Sequence, residues 1–173
     1  MKLKVNREKT CVADASKIKY LGFGFYYRKG AARIAVHQKS KDKLWNKLRK
    51  LLSKSAGDVS NVELRQRLER VVRGWVNYFR IADMKSFLSK TDQWMRRKIR
   101  ARYWKQWKKV KTKYKALRKL GLREELAIKY ANSRKGYWRI AKSHVLDMTL
   151  TVDFLRRIGY TFFSDYYSRV IGH

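Results

Sequence analysis

Between Arg96 and Lys119 the sequence carries thirteen Lys or Arg and no acid. A solvated helix face usually interleaves Glu or Asp among its cations, because like charges one turn apart destabilise the helix. With no carboxylate in the run, that repulsion has to be relieved by water or by a bound polyanion, so much of the segment is expected at the surface. Four rings, Tyr103, Trp104, Trp107 and Tyr114, lie among these cations. They are either the buried stripe of an amphipathic helix or flat platforms for unpaired bases. A membrane-surface helix fits less well, because rings and charges are mixed rather than segregated onto two faces.

The rest of the chain points the same way. Net charge is +32 and pI about 10.6, the electrostatic footprint of a nucleic-acid partner. Hydrophobic residues make up 45%, so a core is possible and the disorder signature of low hydrophobicity is absent. Self-repulsion opposes the compact state, and full stability is expected with a polyanion bound or within a larger protein. No apolar run approaches the ~18 residues of a spanning helix, and "MKLKVNREKT" lacks a secretory apolar stretch. No membrane partner and a cytoplasmic location are the resulting expectations. The single Cys11 excludes an internal disulfide and reads as a small buried side chain.

Proline is absent, which favours long helices. The expected class is mainly α with an N-terminal β-hairpin. Leu21, Phe23, Phe25 and Tyr27 share one face at period two, "RKG" ending at Gly30 reads as a turn, and "ARIAV" as the returning strand. "KLKVN" is a further strand candidate. Ser40 is the expected cap of a helix bearing Leu44, Leu48, Leu51 and Leu52. Ser60 and Glu63 form a capping box before the stripe Leu64, Leu68, Val71, Val72, Trp75, Val76 and Phe79. Gly74 inside this helix is either a propensity defect or a place for close approach of another backbone or an RNA strand. A third helix after Asp83 buries Met84, Leu88, Met95 and Ile99; on the same wheel Trp104 falls opposite, which makes it the preferred stacking platform, while Tyr103 and Trp107 lean toward the core. Its segment is expected to run on to Gly121. Short helices follow in "LREELAIKYANS", in "VLDMTLTVDFLRRIG" up to Gly159, and in the closing "YTFFSDYYSRVI".

Catalytic chemistry finds little support. The thirteen acids are scattered without a D-x-D or paired-aspartate motif for a two-metal centre. Glu124 and Glu125 are adjacent and suit a helix first turn. His37, His144 and His173 lack metal-binding spacing. No catalytic and no metal residue is assigned.

Four segments, in order, resemble the group II intron reverse transcriptase/maturase family: "KLKVNREKT…KYLGFGF", "RGWVNYF", "FLSKTDQWMRRKIRARYWKQW" and "ANSRKGYWRIAKS". The resemblance implies an end of palm with a primer-grip hairpin over residues 1–39, thumb helices over 40–118 and a C-terminal helical maturase region over 119–173. It implies a primer grip at Tyr20, Leu21, Gly22 and Phe23, and thumb packing by Gly74, Trp75, Tyr78 and Phe79, with direct RNA contact by Trp75 and Tyr78 the alternative. RNA contacts are assigned to Arg96, Arg97, Arg100, Arg102, Tyr103, Trp104, Lys105, Lys108, Lys109, Lys111, Lys113, Arg134, Lys135 and Arg139. The family's catalytic Y-A-D-D strand would lie upstream of Met1, so the chain alone is not expected to polymerise, and Mg2+ belongs to the complete polymerase. The implied partners are structured intron RNA, a template–primer duplex and the remainder of the reverse transcriptase; the implied task is to help intron RNA fold and splice. Two other readings stay open: the C-terminal segment of an active RNA-directed DNA polymerase, and a structural RNA-packing protein.

Overall fold

The computed structural model describes residues 13–53 and 59–172. The possible strand "KLKVN" and Cys11 lie outside them. A 3-10 turn (Ala15–Lys17) leads into an antiparallel hairpin of β1 (Phe23–Arg28) and β2 (Ala31–Val36), paired from Phe23↔Val36 to Arg28↔Ala31. The expected turn is present: Lys29 and Gly30 both have positive φ, 51° and 75°. That pair suits the right-handed twist of the strands they join. One face of the hairpin, through Phe23 and Ile34, packs on the helices.

Nine helices follow among the described residues: α1 (Gln38–Leu51), α2 (Asn61–Phe79), α3 (Lys85–Gln106), α4 (Val110–Lys119), α5 (Glu124–Ala131), α6 (Tyr137–Ile140), α7 (His144–Thr149), α8 (Val152–Arg157) and α9 (Phe163–Ile171). Leu44, Leu48 and Leu52 of the first stripe, six of the seven residues of the second, and Met84, Leu88, Met95 and Ile99 of the third are buried together; Trp75 is half-buried against them. Burial of such a side chain contributes about 1.5–3 kcal/mol, which makes this interface the main source of stability. The Ser60 hydroxyl accepts from the Glu63 N–H at 3.1 Å, the first half of the capping box. The second half is not made, since the Glu63 carboxylate turns to Arg67 one helical turn on.

Three expected boundaries move. α1 starts at Gln38, capped by His37, whose Nδ1 accepts from Lys39 N–H. Ser40 therefore sits inside the helix, and its hydroxyl donates to the Gly22 carbonyl at 2.9 Å. The long basic segment is broken at Trp107–Lys109, where α4 folds back so that Leu117 is buried with Trp104. The segment before Gly159 is two helices, because the Thr151 hydroxyl accepts from Phe154 N–H and starts α8 anew; Gly159 ends it at φ 97°.

A second apolar cluster joins the end of α3 to α4–α7 through Trp104, Leu117, Leu122, Ala127, Ile140 and Leu146. The expected division after residue 118 runs through this cluster. Tyr103 and Phe154 touch both clusters, so α3 is enclosed along two sides. Asp92, 1% exposed, accepts the N–H groups of Phe163 (2.9 Å) and Ser164 (2.8 Å) and so caps α9 from the middle of α3. α9 brings no side-chain cap of its own at Phe162.

Candidate nucleic-acid interface

The two-sided enclosure of α3 overturns the expectation for Trp104. Its ring is 3% exposed and sits in the second cluster, with Trp107 edge-on at 6.0 Å. Trp104 and Met95 lie in different clusters, and a second core formed by residues far along the chain covers the Trp104 face. Trp104 is a packing residue in this structure, and Tyr103 and Trp107 are half-buried beside it.

The arginines of α3 divide by environment. Arg100 is 8% exposed; its Nε donates to the Leu150 carbonyl at 3.0 Å and one Nη pairs with Asp147. Burial lowers its pKa from the ordinary arginine value and Asp147 works against that. Its charge is committed inside the fold, which corrects its assignment as a phosphate contact. Arg97 lies on Trp138 at 3.8 Å from the ring centroid and donates to the Trp138 carbonyl. Lys98 approaches the same ring at 4.8 Å. These two cations hold α6 against α3. Arg96 sits near Phe162 at 5.8 Å. Arg102 donates through Nε to Asn61 at 3.0 Å and through Nη2 to the Val59 carbonyl.

The remaining cations of the run face outward. Lys105, Lys108, Lys109 and Lys111 are exposed, as are Arg134, Lys135 and Arg139; Lys113 is half-buried over Trp104 at 5.0 Å. Among the described residues none of Lys105, Lys108, Lys109 and Lys111 forms an ion pair. The ion pairs of α2, Arg67–Glu63 and Arg73–Glu69, lie along that helix itself.

Between the end of α1, the second half of α3 and α6 lies a groove of about 630 Å³. Lys98, Arg102, Lys105 and Lys108 line it together with Tyr137 and Trp138. The sequence points to Arg102, Lys105 and Lys108 as site residues but to neither Lys98 nor the two rings; the signal for the rings is the Y-W pair inside "KGYWR". Asn61 and Gln106 steady the rim, each side-chain amide donating to the other's carbonyl (3.0 and 3.2 Å).

A second, shallower recess of about 300 Å³ separates α1 from α2, lined by Lys47, Arg70, Gly74, Trp75, Tyr78 and Phe79 among others. A Cβ on Gly74 would meet no atom within 4 Å, so nothing within the described fold requires glycine there. Beside it, Tyr20 and Phe23 exchange backbone hydrogen bonds (3.1 and 2.8 Å) around Leu21 and Gly22, at φ 48° and 86°. Tyr78 holds this turn: its hydroxyl donates to the Leu21 carbonyl at 2.9 Å and its ring stacks on Phe23 at 5.8 Å. Trp75 and Phe79 pack inward at 4.8 Å from each other. Tyr20 and Leu21 remain 64% and 65% exposed. Leu21 pays for a left-handed conformation that glycine adopts freely, at about 1–2 kcal/mol.

Among the described residues no group of three His, Cys, Asp or Glu could hold a metal ion, and no helix is long and apolar enough to cross a membrane. Residues 41–121, from α1 through α4, match the family model described as group II intron, maturase-specific domain. None of the curated proteins matches the chain.

Proposed function

We propose that the chain binds structured group II intron RNA and stabilises the spliceable fold, a reading supported by the match of residues 41–121 to the family model of the group II intron maturase-specific domain. The observation that carries this reading is the exposed cationic surface of α3, α4 and α6 around the 630 Å³ groove. Each phosphate met by such a cation releases condensed counterions, while the buried helical core beneath keeps the cations in fixed relation. The domain match supports a role in splicing; the RNA contacts themselves are our inference from charge and exposure.

We also assign the α1–α2 recess and the Tyr20–Phe23 turn to a template–primer duplex. Gly74 leaves room for a backbone to approach, Lys47 and Arg70 supply charge, and the turn presents Leu21 in a strained, exposed position held by Tyr78. Such strain at an exposed turn is a recurrent mark of ligand clamps.

The test is chemical probing of a group II intron RNA with and without the chain at a magnesium concentration that leaves the RNA partly unfolded. Protection of tertiary contacts and faster splicing are expected. An unchanged probing pattern at saturating protein refutes the proposal.

A further inference from the structure

We infer that the groove between α1, α3 and α6 receives an unpaired nucleotide of the bound RNA, an inference that rests on the RNA-binding reading above. Three features of the groove carry it. It is concave and about 630 Å³, within the roughly 300–1,000 Å³ typical of sites that enclose a small ligand; the convex phosphate ridge of a duplex needs no such recess. Its described residues combine cations (Lys98, Arg102, Lys105 and Lys108) with apolar and flat surfaces, and no carboxylate is among them. That pairing of phosphate-binding charge and ring surface is what an extruded nucleotide presents in complement: anionic backbone outside, flat base inside.

The third feature is that several of the described wall residues are already tied to the fold. Arg102 is tied to Val59 and Asn61, Asn61 and Gln106 exchange two amide hydrogen bonds, and Trp138 is held by Arg97 and Lys98. Binding into such a recess orders few side chains, so less of the interaction is lost to entropy. Leu52 and Ala101, both buried, give the groove apolar surface, which a phosphate alone does not use and a base does.

The experiment compares two RNA hairpins of the same stem sequence, one fully paired and one with a single bulged 4-thiouridine, each titrated against the full chain. The bulged hairpin is expected to bind about tenfold more tightly, the size of one stacked base. On irradiation its thiouridine is expected to cross-link to the segments 98–108 or 137–138. Ala101→Leu, which fills the groove from α3, is expected to erase the preference while leaving the paired hairpin within about twofold. The exposed double variant Lys105→Gln/Lys108→Gln keeps the test valid if Ala101→Leu does not fold, and is expected to lose more affinity for the bulged than for the paired RNA. Equal affinity for both hairpins, or cross-links confined to α4, overturns the groove assignment and leaves RNA binding standing. Displacement of the bulged hairpin by an oligo-glutamate peptide at matched charge assigns the groove to acidic peptides and likewise overturns it. Binding to neither hairpin overturns both readings together.

Discussion

Replacing Asp92 by Ala tests the account of how the C-terminal helix is held. The carboxylate is 1% exposed and accepts two backbone N–H groups, at 2.9 and 2.8 Å, more than seventy residues away in sequence. Removing a helix cap costs about 0.5–2 kcal/mol, and leaving a buried N–H donor unpaired costs about 1–3 kcal/mol. Against this stands relief from burying a charge, since burial is the largest influence on Asp92 and raises its pKa above the ordinary 3.8 despite its donors and Arg96. The balance at neutral pH is a loss of about 2–3 kcal/mol. At about 2–4 °C per kcal/mol for a chain of this size, the melting temperature falls by about 5–10 °C. The pH dependence has a definite sign. A carboxyl whose folded pKa is raised binds its proton more readily in the folded state, so its contribution is fullest below the unfolded pKa and declines as pH rises through the folded one. The gap between the parent chain and the variant is therefore widest in acid and narrows toward neutrality. Thermal melts followed by circular dichroism from mildly acidic to neutral pH give both quantities. A drop below about 2 °C at neutral pH, or a gap that widens as pH rises, refutes the capping argument.

Gly74→Ala should raise stability by about 0.5–1 kcal/mol, because the helix interior gains from Ala and the added methyl meets nothing; the same change should weaken template–primer binding, and an unchanged affinity removes the α1–α2 recess from that role. Tyr78→Phe should cost about 0.5–1.5 kcal/mol by deleting the hydrogen bond to the Leu21 carbonyl, read as faster amide exchange in the Tyr20–Phe23 turn. Gly22→Ala should destabilise by more than about 1 kcal/mol, since φ is 86° and the new Cβ would lie 2.9 Å from the Ser40 hydroxyl; a variant as stable as its parent would contradict that geometry. Arg100→Ala should cost about 2–3 kcal/mol in a denaturant titration, discounted from a fully buried pair because Asp147 is 52% exposed, and should leave the slope of RNA affinity against salt unchanged.

The sequence made the three long stripes readable because each helix buries one face against its neighbours, so Leu64, Leu68, Met95 and Ile99 could be assigned from spacing alone. Ser60 and the Lys29–Gly30 turn were readable for the same reason: their chemistry is local. Trp104 was not, because what buries it comes from Leu117, Leu122 and Leu146, and a helical wheel holds no record of a second layer. Asp92 gave no signal as a cap for Phe163 and Ser164, and Ser40 none for its bond to Gly22, since both link distant parts of the chain. Among the basic residues, spacing marked the surface run but could not separate Arg100, turned onto Asp147, from Lys105 and Lys108, turned outward. The groove wall at Tyr137 and Trp138 required the docking of α6 on α3.

The central claim, that exposed cations on α3, α4 and α6 grip intron RNA through its phosphates, is tested most directly by one titration. The affinity of the full chain for a folded group II intron RNA is measured across a range of monovalent salt. The account predicts a straight, steep fall of log affinity with log salt, and a slope reduced by about 3–4 when Lys105, Lys108, Lys109 and Lys111 are all replaced by Gln. A slope that those four replacements leave untouched, or no binding at low salt, would contradict it.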